Sequence, residues 1–94
     1  MPELRFEWDP RKSASNARKH KVTFEEARSA FADPNGLVID DPDHSEDEER
    51  FILLGLSYAV RLLVVCHAFR SDAVRIISAR KATPREATTY RRNK

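Results

Sequence analysis

Three features of the chain predict an α+β fold. Two helix-forming segments come first, four β-rich runs joined by short links follow, and a well-capped basic helix closes the sequence. The expected order is β-α-α-β-β-β-β-α, with a mostly antiparallel sheet of four to five strands. Short links between the β runs imply hairpins, because parallel neighbours need a crossover of a dozen or more residues. Ninety-four residues make one domain, 1–94, near the lower end of what buries a self-sufficient core.

Leu4-Arg5-Phe6-Glu7-Trp8 alternates apolar and charged residues, the pattern of a half-buried strand. Asp9-Pro10 then supplies an N-cap and a proline tolerated at the first helical position, which predicts a helix over Pro10–His20. Its apolar content is thin, mainly Ala14 and Ala17, so neighbours must hold it. Thr23-Phe24-Glu25-Glu26 reads as a capping box, with Val22 placed to staple onto Ala27. Phe24, Ala27, Ala30 and Phe31 recur at helical spacing and face the core, and Pro34-Asn35-Gly36 ends the element.

Leu37-Val38-Ile39 is a short strand, and the acidic stretch from Asp40 to Glu49 is a loop or hairpin connection. Arg50–Leu56 is a strand whose end Gly55 weakens. Val60–Phe69 is apolar on both faces in its middle, hence central. Ala73–Ala79 is β-rich again. Thr83-Pro84-Arg85-Glu86 repeats the capping pattern and starts a last helix running to about Tyr90, with Ala87 and Tyr90 as its apolar anchors.

Composition bounds the function. About 40% of residues are apolar, which fits a folded domain rather than disorder. Cys66 is the single cysteine, so no intrachain disulfide forms, in keeping with a reducing cytoplasm; within its apolar run it reads as an inert thiol. The N-terminus lacks the apolar stretch of a signal peptide, and no run approaches the ~20 residues that span a bilayer, so no membrane partner is expected. The net charge of +2 is unevenly distributed. Residues 1–32 carry +2, residues 33–60 carry −7 with Arg50 as their one base, and residues 61–94 carry +7. A polyanion is the natural partner of that basic third, although the acidic and basic segments could equally neutralise one another in the fold.

Several separated motifs resemble one family. Phe6-Glu7-Trp8-Asp9-Pro10, then Asn16-x-x-Lys19-His20-x-Val22-x-Phe24-Glu25-Glu26-Ala27, is similar to the N-terminal half of BrnT toxins. Asp41-Pro42-Asp43-His44-Ser45 with Glu48-Glu49-Arg50-Phe51 resembles the family's middle, and Arg75-Ile76-Ile77-Ser78-Ala79-Arg80-Lys81-Ala82-Thr83 its C-terminal signature. Lys21 stands where the family usually has a glycine that eases a tight turn. The resemblance implies a RelE-like fold and a ribonuclease that blocks translation. It also implies inhibition by a BrnA-like ribbon-helix-helix antitoxin, in a heterotetramer that represses its own operon by binding operator DNA through the antitoxin.

RNA cleavage of this kind is phosphoryl transfer: the 2′-hydroxyl attacks its own phosphate and the 5′-oxygen leaves. It needs a proton acceptor, cations around the phosphorane and an acid for the leaving group. The nucleophile lies in the substrate, so no metal or cofactor is called for. Arg80 and Lys81, at the end of the last strand, are the first candidates, a bidentate clamp and a point charge, although neighbours on a strand point to opposite faces. Arg61 and Arg75 come next. Strand parity groups Arg61, Leu63, Val65 and His67 on one face, and Arg75, Ile77, Ala79 and Lys81 on one face of the next strand.

His67 has the titration range of an acid–base catalyst, but it stands about 20 Å along the strand from Arg61, so both can hardly hold one phosphate. The alternative for His67 is a hydrogen-bonded, partly buried sheet histidine. His20 is a weaker catalytic candidate, more naturally a cap on its helix's C-terminal dipole. Arg75, Arg85, Tyr90, Arg91 and Arg92 are candidates for RNA binding, with Tyr90 equally explained as a helix anchor. The acidic run Asp40–Asp47 lacks the spaced ligands and glycine of a calcium loop and reads as solvated. Two other readings compete with the enzyme: a non-catalytic basic module that binds nucleic acid or an acidic protein, and a purely structural partner for a small neighbouring protein.

Overall fold

The computed structural model describes residues 4–41 and 49–93. Its elements are β1 (Arg5–Glu7), α1 (Pro10–His20), α2 (Phe24–Ser29), a 3₁₀ turn (Ala30–Ala32), β2 (Leu37–Asp40), β3 (Phe51–Leu56), β4 (Leu62–Arg70), β5 (Ala73–Lys81) and α3 (Pro84–Arg92). That is the expected order. Most of the Asp40–Asp47 loop lies outside the described residues.

Local chemistry explains each helix end. The Asp9 side chain accepts from the Arg11 amide at 2.8 Å and Pro10 opens α1. The helix closes on Lys21, whose φ of 61° is left-handed and whose N–H donates to Ala17 O. A lysine thus adopts the conformation that a glycine enters without steric cost. α1 does not pack on an alanine stripe. Ala14 is exposed, and the residue it buries is Asn16. The capping box expected on α2 is only half built. Thr23 Oγ1 accepts from the Glu26 amide at 3.0 Å, but the Glu26 carboxylate turns away to Ser57 and Arg61. On α3 the box closes in both directions, through Thr83 Oγ1 and the Glu86 side chain.

The five strands form one sheet in the order β1-β5-β4-β3-β2. β2, β3, β4 and β5 pair as antiparallel neighbours, and β1 adds to β5 in parallel, Phe6 opposite Val74. One irregularity decides which side chains share a face. Cys66 pairs with Ser78 but His67 pairs with Ile76, so Ile77 is an extra residue in β5. Such a bulge reverses the in–out alternation beyond it. Arg75 therefore does not share a face with Ala79 and Lys81, as unbroken parity implied. It lies opposite Ala68, on the same side of the sheet as Arg80, which lies opposite Val64.

α1, α2 and the 3₁₀ turn cover one face of the sheet over a core of Val22, Phe24, Ala27, Ala30, Leu53, Leu63, Val65, Ile76 and Ala79. Gly55 lies under the 3₁₀ turn, where a Cβ would come within 2.8 Å of Ala30 O. The glycine is a point of close approach rather than a strand end. Among the described residues the opposite face is covered at one end, where α3 sets Tyr90 on Leu54 and Val64. Among the described residues no helix is long and apolar enough to cross a membrane.

Candidate functional site

Two of the residues singled out from sequence have structural partners inside the helical layer. His67 is 1% exposed, ringed by Phe31, Phe51 and Phe69, and its Nδ1–H donates to Val65 O at 3.0 Å. Burial lowers its pKa, so the ring is neutral at pH 7 and shielded from a substrate. Arg61 reaches under α2, where its Nε donates to Glu26 Oε2 at 2.8 Å and its Nη2 donates to Glu26 Oε1 and to Lys21 O. Ser57 Oγ donates to the same carboxylate at 2.7 Å. The Arg61 hydrogen bonds hold Glu26 below the usual carboxylate range and raise the guanidinium in turn.

The residues near α3 serve its attachment. Arg80 makes a bidentate pair with Glu86 at 2.9 and 2.9 Å, which with the Thr83 bonds brings the Glu86 pKa down to about 2. Tyr90 is 6% exposed and donates to Asp33 Oδ2 at 2.6 Å. That bond, with burial, pushes the phenol up to about 12. Tyr90 is a helix anchor in this conformation. Arg85, Arg91 and Arg92 are exposed on α3, and Lys81 is exposed on the opposite side of the sheet, opposite Leu63. His20 is half-buried at the end of α1. The sequence candidates thus divide between the two sides of the sheet and do not converge on one pocket.

A different set falls in one row by register, on the part of the sheet that α3 does not cover. Arg75 of β5 lies beside Ala68 of β4 and Glu7 of β1. Arg50 precedes Phe51, which pairs with His67, so alternation turns Arg50 to the open face beside Ala68. The Asp41 amide donates to Arg50 O at 3.0 Å and extends the β2–β3 ladder to this level. One row across five strands therefore reads Asp41, Arg50, Ala68, Arg75, Glu7. With strands about 4.8 Å apart, the two arginine Cα atoms stand roughly 10 Å from one another. Ala68 between them is 0% exposed, while both arginines are half-buried. In the next row, the Cys66 thiol donates to Asp41 Oδ2 at 3.5 Å and Ser78 pairs with Cys66.

A row with two arginines either side of a small residue and an acidic residue at each end has the residue types that suit a phosphodiester and proton transfer around it. Arg50 was not among the sequence candidates, although it is the one base in an acidic segment and belongs to the middle motif. Among the described residues no three His, Cys, Asp or Glu side chains gather to hold a metal.

The model of the family described as "Ribonuclease toxin, BrnT, of type II toxin-antitoxin system" matches residues 8–86. The chain belongs to the BrnT family. The matched range takes in Asp41, Arg50, Ala68 and Arg75 of the row and stops one residue short of Glu7. The fold is similar to the crystal structure of the Brucella abortus ribonuclease toxin BrnT, with a TM-score of 0.62 and 20% identity over 86% of this chain and 99% of that one. No curated protein matches the chain. Membership in the BrnT family makes this a toxin-type chain with an antitoxin as counterpart, and the three helices and five-stranded mixed sheet follow the BrnT architecture.

Proposed function

We propose that this BrnT-family chain is a metal-independent endoribonuclease that inhibits translation, and that it cleaves RNA on the open sheet face. The observation that carries the reading is the row Arg50, Ala68, Arg75, with Asp41 and Glu7 at its ends. The arginines grip the scissile phosphate and neutralise the charge that builds on its oxygens as the 2′-oxygen attacks. One carboxylate takes the 2′-hydroxyl proton, and the 5′-oxygen leaves with a proton returned from the site or from water. The products are a 2′,3′-cyclic phosphate and a 5′-hydroxyl. Metal independence follows from a nucleophile that sits in the substrate beside its phosphate, so no bound hydroxide has to be generated.

Of the residues singled out from sequence, Arg75 contacts the phosphate directly. Arg80 positions α3 beside the face through Glu86, and Arg85, Arg91 and Arg92 extend the positive field along the RNA. Lys81, on the other side of the sheet, attracts RNA at longer range. A BrnA-like ribbon-helix-helix antitoxin neutralises the toxin in a cytoplasmic heterotetramer and carries the operator-DNA contact by which the complex represses its operon. Support for that part comes from the family alone.

The test is cleavage of a defined RNA by purified protein in EDTA, with product ends identified. Cyclic-phosphate products are expected, and Arg75→Ala and Arg50→Ala are each expected to lower kcat about 100-fold, the usual loss for one donor to a developing oxyanion. Glu7→Gln and Asp41→Asn identify the proton acceptor as the variant that loses the acidic limb of the pH profile. Intact RNA together with harmless expression in cells would overturn the assignment in favour of a non-catalytic binding module.

A further inference from the structure

β1 is only three residues long and pairs with β5 no further than Arg75, so the edge of β5 beyond that point would stand open. α1 lies along it. Asn16 closes the edge as a strand would: Nδ2 donates to Ala79 O at 2.8 Å and Oδ1 accepts from Ala79 N at 3.1 Å, while Nδ2 also donates to Val22 O at 2.9 Å. On the solvent side of this clamp the helix and the strand edge leave a cleft of about 210 Å³, lined by Lys12, Ser15, Asn16, Lys19, His20, Ile77 and Ser78.

The cleft has no acidic residue in its lining, and α1 as a whole holds four Lys/Arg and one His with no Asp or Glu. Lys12 and Lys19 are exposed and form no ion pair with the described residues. At 1.5 Å per residue their Cα atoms are about 10 Å apart along the helix, two turns apart on one face, so each can meet a different phosphate of one strand. Ser15 and Ser78 add hydroxyl donors for phosphate oxygens, and Ile77 offers an apolar surface for a ribose or base. Ser78 pairs with Cys66, one row from the Arg50–Ala68–Arg75 level, so the cleft opens beside the cleavage face.

We propose that this cleft is a track for the phosphodiester backbone of single-stranded RNA, holding the nucleotides that flank the cleaved bond. The inference rests on the ribonuclease reading for its choice of ligand. Because Lys12 and Lys19 lie on a helix outside the cleavage row, they contribute to binding and leave the reacting atoms untouched.

The experiment compares the full chain with Lys12→Ala/Lys19→Ala and the charge-keeping Lys12→Arg/Lys19→Arg. The probe is a 2′-O-methyl 15-nucleotide RNA, which has no attacking hydroxyl, so binding is read by fluorescence anisotropy independently of cleavage. The alanine pair is expected to weaken binding about tenfold and to lower the salt dependence of log K by about 1.4, two contacts at about 0.7 each for a single strand. It is expected to raise KM for an unmodified RNA of the same length with kcat unchanged, and the arginine pair to restore both. Unchanged affinity and salt slope would overturn the track, as would a loss of kcat, an equal rise in KM on a trinucleotide substrate, or preferential binding of duplex DNA. Salt-dependent binding that needs Lys12 and Lys19, without any cleavage of unmodified RNA, would uphold the track and remove the ribonuclease reading.

Discussion

Replacing Arg61 separates structural from catalytic use of a cation within this fold. Glu26 is 5% exposed, and its carboxylate accepts two hydrogen bonds from Arg61 and one from Ser57. Arg61→Ala removes both charged bonds and the bond to Lys21 O, and leaves a buried carboxylate held by one serine. Breaking a buried pair in this way typically costs about 3–5 kcal/mol. The Arg61 side chain is 32% exposed, so water replaces part of what is lost and about 3 kcal/mol is expected.

Against a total stability of about 5–10 kcal/mol for a domain of this size, that is a large fraction. At a urea slope near 1.5 kcal/mol per molar, the midpoint falls by about 2 M. The pH dependence supplies a signature. The folded pKa of Glu26 lies below its ordinary value, so its contribution is present above the unfolded pKa and is lost as pH falls through the folded one. The gap between wild type and Arg61→Ala therefore narrows on acidification. Equilibrium urea unfolding at pH 7 and at pH 4 measures both effects. A variant that unfolds at the wild-type midpoint but no longer cleaves RNA would refute the reasoning and make Arg61 a catalytic residue.

Asn16→Asp replaces a side-chain amide that donates to two buried carbonyls with an acceptor, and is expected to lower stability by about 3 kcal/mol by calorimetry, the cost of leaving such groups unmet. Lys21→Gly relieves a left-handed lysine at the end of α1 and is expected to raise Tm by about 4–8 °C, for a gain near 1 kcal/mol. Gly55→Ala drives a Cβ to within 2.8 Å of Ala30 O, so the turn over β3 must shift, with about 2 kcal/mol lost in urea unfolding. Glu86, with its pKa near 2, stabilises the attachment of α3 above the ordinary carboxylate range and ceases to do so as pH falls toward 2. In Glu86→Gln that part of the acid transition disappears; because the pair is part-exposed, the expected size is about 1 kcal/mol.

The order of elements was legible because each carried a local signal: Asp9-Pro10, Thr23 and Thr83 at helix starts, and β-rich runs separated by turn residues. The core of α2 was legible too, since Phe24, Ala27 and Ala30 are 0% exposed as their spacing implied. The site was less so. His67 and Tyr90 carry reactive groups whose burial depends on aromatic and carboxylate neighbours far away in sequence. Arg50 was passed over because its surroundings in the chain are acidic, whereas its surroundings across the sheet are Ala68 and, one strand further, Arg75.

Periodicity, caps and turn chemistry act over a few residues, so the amino-acid order alone determined which segments coil, which extend and where each begins. Its motif series also determined the family. Which cations meet was decided only in three dimensions. A single extra residue at Ile77 reverses the alternation of β5 and carries Arg75 to the open face, while Glu26 draws Arg61 beneath α2. Neither the register of a hairpin nor the choice of a distant ion-pair partner is encoded in the neighbouring residues, because both are settled by the packing of the whole sheet against its helices.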